Sequence, residues 1–515
     1  MLYVTSKTSI KKMTEKIITD DSYFKNMLPP DEAAQLEFIP TIPEFVEWIE
    51  MKWRYNPALS DTEQTIRYSE MCERIGRKRG LLKSLGLRHG DSVAILDQST
   101  PDAVEMFLAV CSAGFVAVNI PSQLPAPALN GACKRFCIKL LAYGEGFEQD
   151  AQAAGVNLIR VSDMADSRAE ATVVDKNDPA AIFFTGGTTG SPKGAVLPHR
   201  AIMRGALNGC YAPGRQLACN RYAHMLPLSH VFGMIRGTMS ALYSGALWVS
   251  CSNAKQTISK ITQIRPTIII AVPGICEILM EIVKMYGVGF LGGELRYIIA
   301  GAANVAPRLI REFDRLGVRL FAGYGLTEAG NLTSGNVDVL EKPNSVGKIY
   351  PGQEVKVVDG ELWIRGDNVF LGYCCDLKAS SEAMDEDGWL RTGDLVSFDD
   401  EGYMYIVGRI KNLILLSNGE NISPESLEDA FYKCDKLRDC LVREDMEDGR
   451  GVIAVEIYPR MEEFVDMKWD EVEDYFRKVL KEVNSTLPST HRISKLIVRK
   501  EDFKRTGTMK VSRNQ

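Results

Sequence analysis

Short apolar segments that run into glycine-rich or polar turns recur along the chain up to residue 408, and this pattern constrains the fold more than any other feature. One unit can be read in full: LGLRHGDSVAIL predicts a strand, PDAVEMFLAVCSAG a helix with proline in its first turn, and FVAVNIP a second strand. Similar apolar segments follow at 180–185, 268–272, 297–300 and 319–323. Strands that alternate with helices in this way indicate layers of parallel sheet and helix, so the predicted fold class is α/β.

The pattern changes after these layers. EVKVVDGELWIRG alternates on both sides of Asp359 and Gly360, a pair that is typical of a tight β-hairpin, and it predicts a small antiparallel section. Further on, the segment that begins at Trp469 carries apolar residues at helical spacing on one face. We therefore predict an N-terminal domain over 1–408 and a small α+β C-terminal domain over 409–515.

Composition and charge exclude several classes of function. The 515 residues carry 61 lysines and arginines against 67 acidic residues, and a net charge of −6 provides no basic field for nucleic acid. The apolar stretch 106–120 is shorter than the roughly 18–20 residues of a spanning helix, which leaves only peripheral membrane contact open. The N-terminus lacks the apolar core of a secretory signal and the twelve cysteines lack CxxC spacing, so we expect a cytoplasmic protein with reduced thiols.

The segment AIFFTGGTTGSPKGAVLPH has the composition of a phosphate-binding loop. Glycines let the backbone approach an oxyanion closely, hydroxyls and free N–H groups donate to it, and a lysine neutralises its charge. The segment is not a Walker loop, because Lys193 is followed by Gly194 rather than by serine or threonine. The residues predicted to contact phosphate are Thr185, Gly186, Gly187, Thr188, Thr189, Gly190 and Lys193.

TGGTTGSPKG resembles the phosphate loop of the adenylate-forming enzymes, which include acyl-CoA synthetases, peptide-synthetase adenylation domains and firefly luciferase. Further segments similar to motifs of that superfamily follow in the same order: AGYGLTEAG, GELWIRGDNVFLGY, GWLRTGDL, GRIKNLILLSNGENISPESLE and KRTGTMKVSR. On these matches the chain is identified as a member of the adenylate-forming superfamily, of the acyl-CoA synthetase type. The resemblance implies that it activates a carboxylic acid with ATP and Mg²⁺ and transfers the acyl group to CoA.

The resemblance also implies a role for each motif residue. The 185–193 loop holds the β- and γ-phosphates of ATP, Thr327 donates to the α-phosphate, and Glu328 ligates Mg²⁺. Asp394 accepts hydrogen bonds from the ribose hydroxyls, and Arg409 approaches the same ribose. The residues implied as walls of the adenine site are Gly301, Ala302, Ala303, Gly323, Tyr324 and Gly325.

The C-terminal domain is expected to serve the two reactions in turn. By the same resemblance, Lys411 is the hinge, and Lys510 reaches the α-phosphate as the catalytic lysine of the first reaction. The chain departs from the common pattern at Met509, where glycine usually precedes that lysine. The residues implied to contact CoA on the other face of the domain are Ser417, Asn418 and Gly419.

The sequence constrains the acid only in part. His230, in HMLPLSHVFGM, lies in a segment that resembles the wall of the acyl pocket, where it would gate the carboxylate. This segment offers no carboxylate to pair the ammonium group of an amino acid, which leaves fatty or aromatic acids. The forms TGGTTG and NGENISPE favour a medium- or long-chain fatty acid, by analogy alone. Three alternatives stay open: an aryl-acid CoA ligase, a free-standing acyl-AMP ligase that loads an acyl carrier protein, and a non-catalytic nucleotide-binding module.

Overall fold

The computed structural model describes residues 23–24, 27–185, 193–211, 217–415, 421–447, 450–505, 511 and 513. Within these residues the chain forms two large sheets that are mainly parallel, a small antiparallel sheet, and further short sheets in the C-terminal part. The predicted α/β class, with an antiparallel section and a smaller C-terminal part, is confirmed.

In the described part of the chain, the first large sheet has seven strands. Most neighbouring strands run parallel, and two antiparallel pairings complete one edge. In spatial order the strands are Gly372–Tyr373, Lys193–Pro198, Pro179–Thr185, Val116–Asn119, Ser92–Leu96, Ile138–Tyr143 and Asn157–Arg160.

The second large sheet has nine strands among the described residues. Its central strands are parallel and nearly all apolar, which is expected when both faces of a sheet are covered. In spatial order the strands are Lys348–Ile349, Ser334–Asn336, Arg319–Tyr324, Tyr297–Ala300, Ile268–Ala271, Arg221–His224, Leu247–Val249, Pro57–Ser60 and Thr65–Arg67.

Helices pack beside these two sheets. The Pro101 helix begins as predicted, with the Thr100 hydroxyl accepting from the backbone N–H of Ala103. One helix, Phe232–Met239, is a π-helix. This form is rare in proteins, and where it occurs it is often part of a functional site. The α-helices of this region are Pro30–Ala33, Ile42–Trp53, Tyr68–Ser84, Pro101–Ser112, Ala126–Arg135, Glu148–Gln152, His199–Asn208, Ser240–Tyr243, Ala254–Ser259, Ile261–Ile264, Pro273–Tyr286 and Pro307–Arg315.

The predicted hairpin is present. Asp359 and Gly360 form a two-residue turn with φ angles of 49° and 87°, as a type I′ turn requires. The strands of this antiparallel sheet are Gln353–Val358, Glu361–Gly366, Leu390–Phe398 and Met404–Arg409, and helix Leu377–Ala383 lies between the second and third in the chain.

The C-terminal part has a core of its own, in which Phe431, Val455 and Phe476 are fully buried. Its helices are Pro424–Phe431 and Trp469–Thr486, and its strands are Ile414–Leu415, Asn421–Ile422, Leu437–Glu447, Arg450–Pro459 and Lys495–Val498. The boundary at residue 408 stays a prediction. Among the described helices, none is both long enough and apolar enough to cross a membrane. Among the described residues, the short 3₁₀ turns are Val288–Leu291, Thr327–Ala329, Ile410–Asn412, Met461–Glu463 and Ser489–His491.

Candidate active site

The two ends of the predicted phosphate loop lie side by side. Thr185 ends one strand of the first sheet, and Lys193 begins the antiparallel strand next to it. The two residues are partners in the ladder, and the Thr185 hydroxyl lies 3.5 Å from the Lys193 carbonyl oxygen. This pairing fixes where the loop leaves and re-enters the sheet. The predicted phosphate contacts Gly186, Gly187, Thr188, Thr189 and Gly190 lie outside the described residues.

Tyr324, Asp394 and Arg409 form one hydrogen-bonded group. Tyr324 ends a strand of the second sheet, and its hydroxyl donates to Asp394 Oδ2 at 2.6 Å. Arg409 faces Asp394 across the antiparallel ladder and donates from Nε to Oδ1 at 2.7 Å. The structure thus brings together an adenine-site residue and two ribose-site residues that the sequence predicted separately.

Burial and the neighbouring charge determine the protonation of Tyr324 and Arg409. Burial, together with the adjacent Asp394 carboxylate, raises the pKa of Tyr324 well above its ordinary value, so the phenol stays a donor. Burial alone would lower the pKa of the Arg409 guanidinium, but the Asp394 charge raises it. Asp394, only 6 % exposed, is therefore held in one orientation by two donors.

A second polar group joins the two large sheets. Glu328, in the 3₁₀ turn that begins at Thr327, accepts a hydrogen bond of 2.7 Å from the Tyr373 hydroxyl. The Lys193 ammonium lies 4.9 Å from the centre of the Tyr373 ring. Burial, and then the Glu328 charge, raise the pKa of Tyr373, which keeps this phenol a donor too. Tyr373 was not predicted from the sequence, although it is the last residue of the segment GELWIRGDNVFLGY.

The surroundings of Glu328 fit a Mg²⁺ site completed by phosphates. Mg²⁺ in nucleotide enzymes usually binds one or two carboxylates together with substrate phosphates, rather than a cage of protein ligands. Among the residues that the structure describes, no group of three histidine, cysteine or acidic side chains could form such a cage. A single carboxylate oriented by Tyr373 is the arrangement that a phosphate-bound Mg²⁺ needs.

A single cavity is lined both by predicted adenine-site residues and by apolar side chains of the interior. Gly325 borders it where a side chain is impossible, because an ideal Cβ there would lie 1.3 Å from the carbonyl oxygen of Asn331. The predicted adenine-site residues that line the cavity are Gly301, Ala302, Gly323, Tyr324 and Gly325, whereas Ala303 is not among the lining residues. The apolar side chains that line it include Phe232, Ile299, Phe321 and Leu332.

His230 does not line this cavity. It is half-buried at the start of the π-helix, and its Nδ1 accepts from the backbone N–H of Phe232 at 3.2 Å. Its neighbours Leu228 and Ser229 line a separate, smaller cavity beside Asp97. The predicted gating of the acyl pocket by His230 therefore stays a prediction.

Arg236, four residues after Phe232 on the π-helix, does line the cavity. It is 3 % exposed, and no role was predicted for it. The sequence held one indication, since Arg236 is a basic residue in the otherwise apolar stretch HVFGMIRG.

The remaining predicted residues belong to the C-terminal part. Lys411 lies in the turn Ile410–Asn412, where partial burial and then the Arg409 charge lower its pKa. Its hinge role stays a prediction. The predicted CoA contacts and the catalytic lysine lie outside the described residues: Ser417, Asn418, Gly419 and Lys510.

Known proteins resemble the chain over most of its length. The family model described as AMP-binding enzyme matches residues 46–374, and that of the AMP-binding enzyme C-terminal domain matches 411–515. The indoleacetate–CoA ligase of Aromatoleum aromaticum is 30% identical over 453 residues, covering 80% of this chain and 88% of that protein. The mitochondrial medium-chain acyl-CoA ligase of Bos taurus is 28% identical over 462 residues, covering 75% and 73%.

The fold is also that of a solved structure. MatB from Rhodopseudomonas palustris, bound to ATP, superposes with a TM-score of 0.79 at 22% identity, covering 89% of this chain and 95% of that one. The first family model alone spans more than half of the chain, over the strands that carry Thr185, Lys193 and Tyr324. The chain therefore belongs to the family of AMP-binding enzymes, as an adenylate-forming enzyme of the acyl-CoA synthetase type.

Proposed function

We propose that the protein joins a carboxylic acid to CoA in two half-reactions at this site. In the first, a carboxylate oxygen of the acid bonds to the α-phosphorus of ATP while the bond to the pyrophosphate oxygen breaks, which gives acyl-AMP and pyrophosphate. In the second, the CoA thiol loses its proton and bonds to the acyl carbon, and AMP leaves. Mg²⁺ supplies charge neutralisation between the two anions that must meet in the first step.

The hydrogen bond between Tyr324 and Asp394 is the observation that carries this proposal. Tyr324 lines the cavity together with Gly301 and Ala302, and its hydroxyl holds Asp394. An adenosine needs an aromatic face for the base and an acceptor for the ribose hydroxyls, and these two side chains supply both.

The charges around this pair suit a triphosphate. Three cations interact electrostatically with one another and with two carboxylates in this part of the structure. The cations are Lys193, Lys411 and Arg409, and the carboxylates are Glu328 and Asp394. Three cations against two carboxylates leave an excess of positive charge, which favours an anionic ligand. We assign Lys193 and the 185–193 loop to the β- and γ-phosphates and Glu328 to Mg²⁺.

The α-phosphate and the acceptor involve further residues. We assign Thr327 and Lys510 to the α-phosphate, as the resemblance implies. We also propose that 409–515 moves as a unit about Lys411, so that the loop with Ser417, Asn418 and Gly419 meets CoA in the second half-reaction. The reaction needs no membrane, and we expect it in the cytoplasm.

The acid has an apolar body in this proposal. Phe232, Ile299, Phe321 and Leu332 line the same cavity as the proposed adenine walls, and burial of apolar surface against them favours a fatty or aryl chain. A medium-chain fatty acid and an aryl acid are both consistent with these walls.

A screen of carboxylic acids tests the proposal, with AMP formation measured in the presence and absence of CoA. We expect CoA-dependent AMP formation with at least one acid, and ATP–pyrophosphate exchange with the same acid in the absence of CoA. Exchange without any CoA-dependent AMP release would instead indicate a ligase that loads a carrier protein. A complete lack of exchange with a broad panel would indicate a non-catalytic nucleotide-binding module.

The Asp394→Asn variant is the control for this screen. Its exchange should fall by about tenfold to a hundredfold with every acid, because the change removes the proposed ribose acceptor. Activity that survives this change undiminished would point to a contaminating enzyme.

A further inference from the structure

Arg236 is a buried cation in the wall of the cavity. Its Nη1 donates to the carbonyl oxygen of Gly209 at 2.7 Å, while its Nε is buried with no hydrogen-bond partner among the described residues. No carboxylate of the described chain forms an ion pair with it. A guanidinium has five N–H donors, and one backbone carbonyl satisfies only part of them.

The fold does not account for this charge. Gly209 caps the C-terminal end of helix His199–Asn208. The free energy gained by a cation at a helix C-terminus is smaller than the free-energy cost of burying a guanidinium. The guanidinium packs against a position where only glycine fits, since an ideal Cβ at Gly209 would lie 1.9 Å from Ser240 Oγ and 3.0 Å from Arg236 Nη1. Arg236 is therefore held in the cavity wall with most of its donors unused.

A second donor lies close to Arg236. Tyr350 lines the same cavity and is 6 % exposed, and no described residue hydrogen-bonds its hydroxyl. Burial raises the pKa of this phenol, and the Arg236 charge opposes that rise, so the two groups interact and the hydroxyl stays protonated. A guanidinium and a phenol O–H together offer the donors that a carboxylate binds best.

We propose that Arg236 binds a second carboxylate of the acid, so that the substrate is a dicarboxylic acid. The inference rests on the proposed function, because it needs the first carboxyl to be the one that is activated. One carboxyl reacts with ATP, the apolar body packs against Phe232 and Phe321, and the other carboxylate binds Arg236 with help from Tyr350. A simple fatty acid would place a methyl group against a desolvated charge, which disfavours it.

Matched acids test this inference with the unmodified protein. Succinic, glutaric, adipic and suberic acids are compared with butyric, valeric, caproic and caprylic acids, and with the monomethyl esters of the same four diacids. We expect kcat/KM for the best diacid to exceed that of its monocarboxylic partner and of its half-ester by about tenfold to a hundredfold. The half-ester is the sharpest control, because it keeps the length of the diacid and removes only the charge.

Two variants locate the effect at Arg236. Arg236→Met should lower kcat/KM for the diacid by about tenfold to a hundredfold and should raise it for the monocarboxylic partner. Arg236→Lys should recover part of the diacid activity, because it restores a cation without the planar fork. Recovery by lysine that is confined to the diacids is a result that a purely structural arginine would not give.

The outcomes separate this inference from the proposed function. If monocarboxylic acids lead the panel with the unmodified protein, or if Arg236→Met lowers both classes equally, the second-carboxylate site is wrong while the ligase function stands. If no acid of either class gives CoA-dependent AMP, the proposed function itself is wrong. Should Arg236→Met fail to fold, the comparison of diacid with half-ester in the unmodified protein still decides.

Discussion

The hydroxyl of Tyr324 and the carboxylate of Asp394 are 70 positions apart in the chain and 2.6 Å apart in the structure. This contact connects the second large sheet to the small antiparallel sheet. Tyr324 ends a strand of the large sheet, and Asp394 lies in a strand of the antiparallel sheet. Arg409 completes the group from the neighbouring antiparallel strand. The proposed adenosine site therefore depends on how two sheets are packed, and a change at either residue tests that packing.

Asp394→Asn should raise the KM for ATP and lower kcat/KM by about tenfold to a hundredfold, because it removes a charged acceptor and leaves Arg409 unpaired. Tyr324→Phe keeps the ring and removes one donor, so we expect a loss of about tenfold or less. The matched control is Tyr405→Phe, which removes a phenol that donates to Asp399 at 3.1 Å on the same small sheet. Equal losses in the two tyrosine variants would show that the hydroxyl of Tyr324 has no specific role. Steady-state kinetics with ATP varied measure these effects.

Tyr373→Phe should change the Mg²⁺ requirement more than the maximal rate. The variant loses the hydrogen bond that orients Glu328 but keeps the aromatic ring over which the Lys193 ammonium lies. Loss of a partner that orients a metal ligand typically weakens metal binding by about tenfold. We expect the Mg²⁺ concentration that gives half of the maximal exchange rate to rise by that factor. Most of the rate should be recovered when Mg²⁺ is saturating. An unshifted titration would contradict the assignment of Glu328 as the Mg²⁺ ligand.

Lys510→Ala should separate the two half-reactions. Without the lysine at the α-phosphate, formation of acyl-AMP should fall by about a thousandfold, since removal of one charge-stabilising group typically costs that much. Thioester formation from supplied acyl-AMP and CoA should persist. Lys504→Ala, an exposed lysine of the same basic segment, is the control. Equal loss of both half-reactions in Lys510→Ala would refute the proposed role.

The parts of the structure that sequence predicted correctly depend on local rules. The hairpin at Asp359 and Gly360 follows from a turn that needs two positive φ angles, and its strands are adjacent in the chain. The parallel strands follow from apolar segments that enter glycine-rich turns, and Thr185 and Tyr324 do end two such strands. The resemblance of GWLRTGDL to a family motif predicted Asp394 as a ribose-site residue, and the structure places it in contact with Tyr324 and Arg409.

The contacts that sequence did not predict depend on distant packing. Tyr373 meets Glu328 because a two-residue edge strand pairs with the strand that begins at Lys193, and no local pattern specifies that pairing. Arg236 lines the cavity from a π-helix. A π-helix has more residues in each turn than an α-helix, so α-helical periodicity predicts the wrong direction for the Arg236 side chain. Its burial also needs Gly209, from another helix.

His224→Phe should reduce the sensitivity of the protein to acid. His224 is buried against Trp248, with ring centres 4.9 Å apart, and burial lowers its pKa from 6.5 to about 4. Between these values the unfolded chain binds a proton that the folded protein does not, so the stability is fully present above pH 6.5 and falls as the pH drops towards 4. The phenylalanine variant should remove a slope of about 1.4 kcal/mol for each pH unit in that window. Urea unfolding at several pH values measures it, with His89→Gln at an exposed histidine as control.

Arg460→Met should shift the balance between the two half-reactions. Glu277 accepts from Arg308 of the N-terminal region at 2.7 Å and from Arg460 of the C-terminal part at 2.8 Å, so one carboxylate connects the two. Both arginines are almost entirely buried, and Glu277 is 17% exposed, so these pairs are weakly screened. Loss of the Arg460 pair should destabilise the arrangement seen here relative to the second arrangement that we propose for residues 409–515.

The two half-reactions should then change in opposite directions, one rising and the other falling, by about threefold to tenfold. Pyrophosphate exchange measures the first half-reaction, and thioester formation from supplied acyl-AMP measures the second. Arg308→Met is the matched control, because it removes a partner of the same carboxylate and leaves the connection through Arg460 in place. A parallel fall of both half-reactions in Arg460→Met would mean that the ion pair stabilises the fold without influencing which arrangement the C-terminal domain adopts.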